Sequence, residues 1–128
     1  RLVNRIGSTD GIVYVAEGQC GHGVRACLLL TMTLMGPHRV LRILADPGKD
    51  DCDVMGSIGH ELQHAVEVLS HYTIRSGSAM TLLYRKEGSN EGGHFETDAA
   101  RKAGDAVRAD LRQGAAAGKH CEPPPSDR

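Results

Sequence analysis

Ile58, Leu62, Ala65 and Leu69 recur at the spacing of an α-helix buried along one stripe. The same segment, from about Asp51 to Ser70, lines a second face with His60, His64, Glu67 and His71. Surface helices ordinarily display Lys and Glu there, so a row of histidines weighs against a merely solvated face. Any fold for this chain must bury one side of a long helix and leave the imidazoles facing something. Residues four apart stand one turn apart on the same side, so His60 and His64 can offer their rings to a single ion. Glu61 sits beside that pair without joining it.

The spacing assigns roles as well as ligands. Zinc lowers the pKa of a bound water to about 7, and a neighbouring carboxylate can take its proton and later pass it to a leaving amine. Glu61 is the residue placed for that work as general base and acid. A catalytic zinc normally takes three protein ligands and keeps one position for water, so a third ligand is required. The pattern His-Glu-x-x-His-x-x-Gly-x-x-His does not supply it: Glu67 stands where glycine should, Ser70 stands where the third histidine should, and His71 misses by one residue. A glutamate on a later helix is the other solution. Glu96, Ala100, Ala103, Val107 and Leu111 follow helical spacing, which puts the Glu96 carboxylate in the first turn of a helix expected from about Phe95 to Gln113. Asp98 falls instead on the solvated stripe of Lys102, Asp105 and Ala109, so Glu96 is preferred. The plain alternative for Glu96 is an acidic residue stabilised by a helix dipole.

His60-Glu61-Leu62-Gln63-His64-Ala65-Val66 is similar to the active-site helix of the thermolysin-like gluzincins, and a downstream helix bearing Glu96 resembles their set of two histidines plus one glutamate. The resemblance covers about a third of the chain. By size the comparison falls on the minigluzincins, single-domain metallopeptidases that resemble the bare catalytic core. It implies a zinc-dependent endopeptidase acting on peptide or protein substrates, with His60, His64 and Glu96 as metal ligands. One position departs from the pattern. Gluzincins often carry an aspartate four residues after the glutamate ligand to orient a histidine, and here that position is Ala100. The orienting group must come from elsewhere, with Asp46, Asp53 or a backbone carbonyl as candidates.

Ahead of the histidine helix the pattern changes to strands. Ile12 to Ala16 is a short β-branched run between Asp10-Gly11 and Glu17-Gly18. Arg25 to Met35 reads as a longer strand, Gly36-Pro37 as a turn, and Arg39 to Ala45 as its antiparallel hairpin partner, ended by Asp46-Pro47-Gly48. Ser78 to Lys86 reads as a shorter helix burying Met80, Leu83 and Tyr84, followed by a polar loop from Glu87 to Gly93. This order predicts an α+β, zincin-like domain over 1–113. It comprises a mainly antiparallel sheet of three or more strands, the metal helix, and a helix carrying the third ligand. Residues 114–128, with their alanine-glycine and triple-proline stretches, read as a disordered tail. An exposed edge strand in such a domain can bind an extended peptide by adding it to the sheet. The pattern leaves Arg25 to Met35 and Arg39 to Ala45 both open as that edge, and the resemblance to zincins favours the earlier strand.

The 128 residues allow one domain with a single core. A net charge of -1 and 3% aromatic residues leave nucleic-acid binding without its usual footprint. No apolar run approaches the roughly 20 residues of a membrane-spanning helix, so a soluble protein is expected. The first residue, Arg1, suggests a processed product. Cys20 and Cys27 bracket a short glycine-containing loop that could close as a small disulfide, which together with the peptidase motif favours a secreted or periplasmic setting; a second metal site from Cys20, His22 and Cys27 is the weaker reading. Cys52 and Cys121 are left to pair or stay free. Tyr72, Tyr84, His94 and His71 are the candidate donors to an oxyanion, although either tyrosine reads more readily as a core residue. Two rival functions remain in view: a zinc-stabilised binding protein that cleaves nothing, and a zinc amidase acting on non-protein amides.

Overall fold

Val40, Leu41, Ile43 and Ala45 are all buried in one strand, so both of its faces are covered. This strand is the axis of the sheet in the computed structural model, which describes residues 1–21, 23–46, 51–87 and 96–116. The elements are helix α1 (Leu2–Gly7), strands β1 (Gly11–Glu17), β2 (Ala26–Leu28), β3 (Thr33–Met35) and β4 (His38–Ala45), and helices α2 (Asp51–Leu69), α3 (Gly77–Glu87) and α4 (Asp98–Ala116). The result is an α+β domain with a mixed four-stranded sheet. β1 runs parallel to β4, with Gly11 opposite Arg39 and Glu17 opposite Ala45. On the other side β2 and β3 both pair antiparallel with β4.

One expectation about the sheet is corrected. Arg25 to Met35 is not one strand. Leu28 lies opposite Ile43 and Thr33 opposite Val40, so four residues, Leu29 to Met32, face two, Leu41 and Arg42, and the chain must bow out of the ladder. The bow carries the Leu30 carbonyl against Gly77 at the start of α3, where any side chain would collide with it. Of the two candidate edges, Arg39 to Ala45 is internal, with β1 on one side and β2 and β3 on the other; β2, within the favoured Arg25 to Met35 segment, lies at one edge and β1 at the other. The hairpin through Gly36-Pro37 is as expected, with Met35 opposite His38 and Gly36 at a positive φ of 57° that glycine adopts without strain.

Leu41, Ala65, Val68, Leu69, Ile74, Met80, Leu83 and Tyr84 form the core between the sheet, α2 and α3. Within it lies a fully buried arginine. Arg39 donates to Asp10 Oδ1 at 2.8 Å and to the carbonyls of Leu69 (2.8 Å), His71 (2.8 Å) and Ile74 (3.0 Å). It thereby satisfies the Leu69 carbonyl at the end of α2, which the helix itself cannot, and two carbonyls in the turn that follows, and ties that end to the sheet.

α4 crosses α2 closely, and this contact positions the site. Ala100 is fully buried in this contact, but glycines set the distance. A Cβ on Gly59 would lie 2.6 Å from Val107 Cγ2, and one on Gly104 would lie 2.9 Å from the Gly56 carbonyl and 3.2 Å from His60 Cβ. α4 also starts later and ends later than expected, so Glu96 stands two residues ahead of the helix and not in its first turn. His22, the loop beyond Glu87, His94, Phe95, Cys121 and the tail from residue 117 lie outside the described residues, as does the Cys52 side chain. Among the described residues no helix is long and apolar enough to cross a membrane.

Candidate metal centre

His60 and His64 face the same way from α2, and Glu96 reaches them from the segment before α4. One ligand atom from each of the three lies within 4.8 Å of the others. His60 Nε2 is 2.7 Å from Glu96 Oε1, and His64 Nε2 is 3.7 Å from that same oxygen. Ligands held about 2 Å from one tetrahedral ion stand a little over 3 Å apart, so small adjustments would seat a cation among them.

The decisive atom is on His64. This ring is almost fully buried, and its Nδ1–H donates to Glu67 Oε1 at 2.8 Å. A neutral imidazole that donates through one nitrogen keeps a lone pair on the other. Here that other nitrogen, Nε2, is buried and has no hydrogen-bond partner among the described residues. A buried polar atom without a partner is costly, and a cation shared with Glu96 and His60 relieves that cost. The three residues therefore fit a metal ion.

Glu67 binds the two halves of the centre together. Its Oε2 accepts from Thr97 Oγ1 at 2.6 Å; Thr97 Oγ1 in turn accepts from Ala100 N at 3.2 Å, capping α4, and Thr97 N donates to Glu96 Oε1 at 3.0 Å. Burial works against ionising Glu67, but the bonds from His64 and Thr97 outweigh it and hold its pKa below the usual 4.5. His60 lies between two carboxylates, with Nδ1 2.5 Å from Glu61 Oε2 and Nε2 facing Glu96. Burial disfavours its charged form, yet Glu61 and then Glu96 raise its pKa above 6.5, so the pocket favours positive charge at that point.

Glu61 is anchored from the sheet. Its Oε1 accepts from Leu28 N at 2.9 Å. The geometry of β2 explains why that amide is available. Leu29 N donates to Arg42 O and Asp46 N donates to Arg25 O, so alternate residues of β2 turn their main-chain groups to β4, while those of Ala26 and Leu28 turn away from it. They face a cleft of about 640 Å³ whose lining includes Ala26, Leu28, His60, Glu61, His64 and Glu96.

His60, Glu61, His64 and Glu96, chosen from the sequence, thus come together. Asp98 does not join them: it is exposed and paired with Arg101. The hydrogen bonds of the two rings go to Glu61, Glu96 and Glu67, and neither Asp46 nor Asp53 takes that part; Asp53 faces Arg25 and Arg108. Glu67 was missed as an orienting group, although its position three residues after His64 on the same face was the signal. Among the oxyanion candidates, Tyr84 borders the cleft, but its hydroxyl donates to the His64 carbonyl at 2.8 Å. Tyr72 is exposed near the Arg39 guanidinium, 5.6 Å from it, and His71 lends its carbonyl to Arg39; neither borders the cleft. Cys20 and Cys27 form a disulfide, which excludes them as metal ligands.

Compared with protein-family models, curated proteins and solved structures, the chain matches none.

Proposed function

We propose that the protein is a zinc-dependent peptidase. The observation that carries this reading is the buried, unpartnered Nε2 of His64 within a three-residue ligand set that opens on a cleft bounded by an edge strand. His60, His64 and Glu96 would hold the ion. Two neutral imidazoles and one carboxylate are a donor set that suits zinc. When bound, zinc supplies Lewis acidity, polarising a carbonyl and lowering the pKa of water to about 7. Glu61, lining the cleft beside His60, takes the proton of the attacking water and returns it to the leaving amine. The Leu28 amide fixes one oxygen of that carboxylate, while the other must leave His60 Nδ1 to receive the proton. Ala26 and the Leu28 carbonyl offer an extended peptide strand-like hydrogen bonds along the cleft. The Cys20–Cys27 disulfide is consistent with action in an oxidising compartment, periplasmic or extracellular.

The Glu61 contact to His60 favours a second reading, in which both carboxylates merely hold ligands and the ion stabilises a binding protein. Zinc stoichiometry followed by a peptide-library digest separates the two. The peptidase reading expects one zinc per chain, its loss in Glu96→Ala, cleavage by the wild type, and retained zinc without cleavage in Glu61→Gln. Zinc retention together with an inert wild type supports the second reading, and zinc-free protein at saturating metal sinks both.

A further inference from the structure

Three arginines wall the cleft beside the ligand set: Arg25 ahead of β2, and Arg101 and Arg108 on α4. Among the described residues the acidic groups of the lining are Glu61 and Glu96, both engaged at the His60 ring. Three guanidinium groups stand against two carboxylates, and a bound divalent ion would add to that positive excess. The counter-ions outside the lining do little to quench this. Asp53 is shared between Arg25 Nη2 at 3.6 Å and Arg108 Nε at 3.5 Å, so one carboxylate answers two cations and neither contact is short. Asp98 and Asp105, the partners of Arg101 and Arg108 one turn away, are 85% and 73% exposed, where water and salt screen such pairs. Arg25 Nε is buried with no acceptor among the described residues. An N–H in that state is satisfied only by an acceptor from outside the described residues.

The arginines stand at one end of the cleft. Arg108 packs on Gly56, one helical turn or about 6 Å before His60, a distance an extended peptide covers in about two residues. Arg25 lies by Asp53 and Leu28 by Glu61, so β2 runs in the same direction as α2. A peptide added antiparallel to β2, as β4 already is on its other side, would run from Leu28 towards Arg25. Its residues beyond the scissile bond then lie over Arg25 and Arg108. We propose that the cleft selects substrates carrying a carboxylate about two residues after the scissile bond, with Arg25 and Arg108 as the specificity-determining residues and Arg101 adding to the field. This rests on the peptidase reading. Two sources present that group: an acidic side chain, or the terminal carboxylate of a substrate from which a short C-terminal fragment is released.

Three matched peptides test it: one with Glu at that position and an amidated end, one with Gln there and a free C-terminus ending at that residue, and one with Gln and an amidated end. Zinc-loaded wild type should cleave one or both carboxylate peptides with kcat/KM about tenfold above the neutral one, the favoured peptide naming the source. Arg25→Gln should bring the ratio to within about threefold, and Arg25→Lys should restore part of it. Equal rates for all three peptides overturn the proposal, as does a preference that survives both Arg25→Gln and Arg108→Gln. If wild type cleaves none of them, the peptidase reading fails separately. Fluorescence anisotropy of the same peptides on zinc-loaded Glu61→Gln then decides the inference alone: tighter binding of a carboxylate peptide that Arg25→Gln abolishes supports it, and equal binding refutes it.

Discussion

Glu67→Ala is the most discriminating perturbation of the ligand set, because Glu67 touches no proposed substrate path and holds both halves of the centre. The substitution removes the acceptor of His64 Nδ1–H at 2.8 Å and the acceptor of Thr97 Oγ1 at 2.6 Å. Without the first bond the His64 ring loses both its fixed tautomer and its orientation, so the lone pair on Nε2 is no longer presented in one place. Removing a group that orients a metal-bound histidine typically costs 10–100-fold in metal affinity, about 1.4–2.8 kcal/mol. The metal-free fold should also lose about 2 kcal/mol, since two bonds to a charged acceptor disappear while the cost of burying that carboxylate is recovered. Competition with a chromophoric zinc chelator at neutral pH measures the first effect, and thermal unfolding of the metal-free protein measures the second. Thr97→Val removes the second bond and the cap to Ala100 N but leaves the His64 bond in place, and should weaken zinc by less than about threefold, because His64 keeps its acceptor. Unchanged zinc affinity in Glu67→Ala, together with a lower unfolding temperature, would refute the reasoning and reduce Glu67 to a packing and capping residue.

Gly59→Ala should destabilise by about 1–3 kcal/mol through collision with Val107 and, by displacing α4, weaken zinc as well; Val107→Ala in the same chain should recover much of both in unfolding and chelator titrations. The hydrogen bond and charge of Arg39 lower the Asp10 pKa below 3.8, so its contribution is fully present above that value and lost as pH falls through the lower folded value. The stability gap between wild type and Asp10→Asn should therefore be level from pH 6 to 8 and shrink below about pH 4 in denaturant titrations. Replacing both Cys20 and Cys27 by serine should cost about 2 kcal/mol, the modest value for so short a loop, and a loss near zero in the same titrations would mean that β2 is held without the cross-link.

The helix elements were readable because they repeat. α2 follows the apolar period of Ile58, Leu62, Ala65 and Leu69, and within it the four-residue spacing of His60 and His64 already places both rings on one side. Glu96 was identified for an incomplete reason: its period with Ala100 and Ala103 placed it in a helix, whereas it sits just ahead of α4, where Thr97 caps the helix. The strand pattern of residues 25–35 carried no sign of the bow at Leu29 to Met32, because alternating apolar residues look the same whether the partner strand is continuous or interrupted. Nor did it show that β1 would lie parallel to β4, since one strand's own residues do not state its partner.

Local spacing alone determined that two imidazoles share a helical face with a carboxylate beside them, because the geometry of an α-helix links position in the chain to direction in space over one or two turns. Tertiary structure decided everything that depends on approach between distant segments. It brought Glu96 to the histidine pair across a crossing that Gly59 and Gly104 make close. It turned the Leu28 amide towards Glu61, joined Glu67 to Thr97, and gathered Arg25, Arg101 and Arg108 around one cleft. Such contacts depend on how faces pack and on which buried polar atoms must be satisfied, and those conditions exist only once the chain has folded.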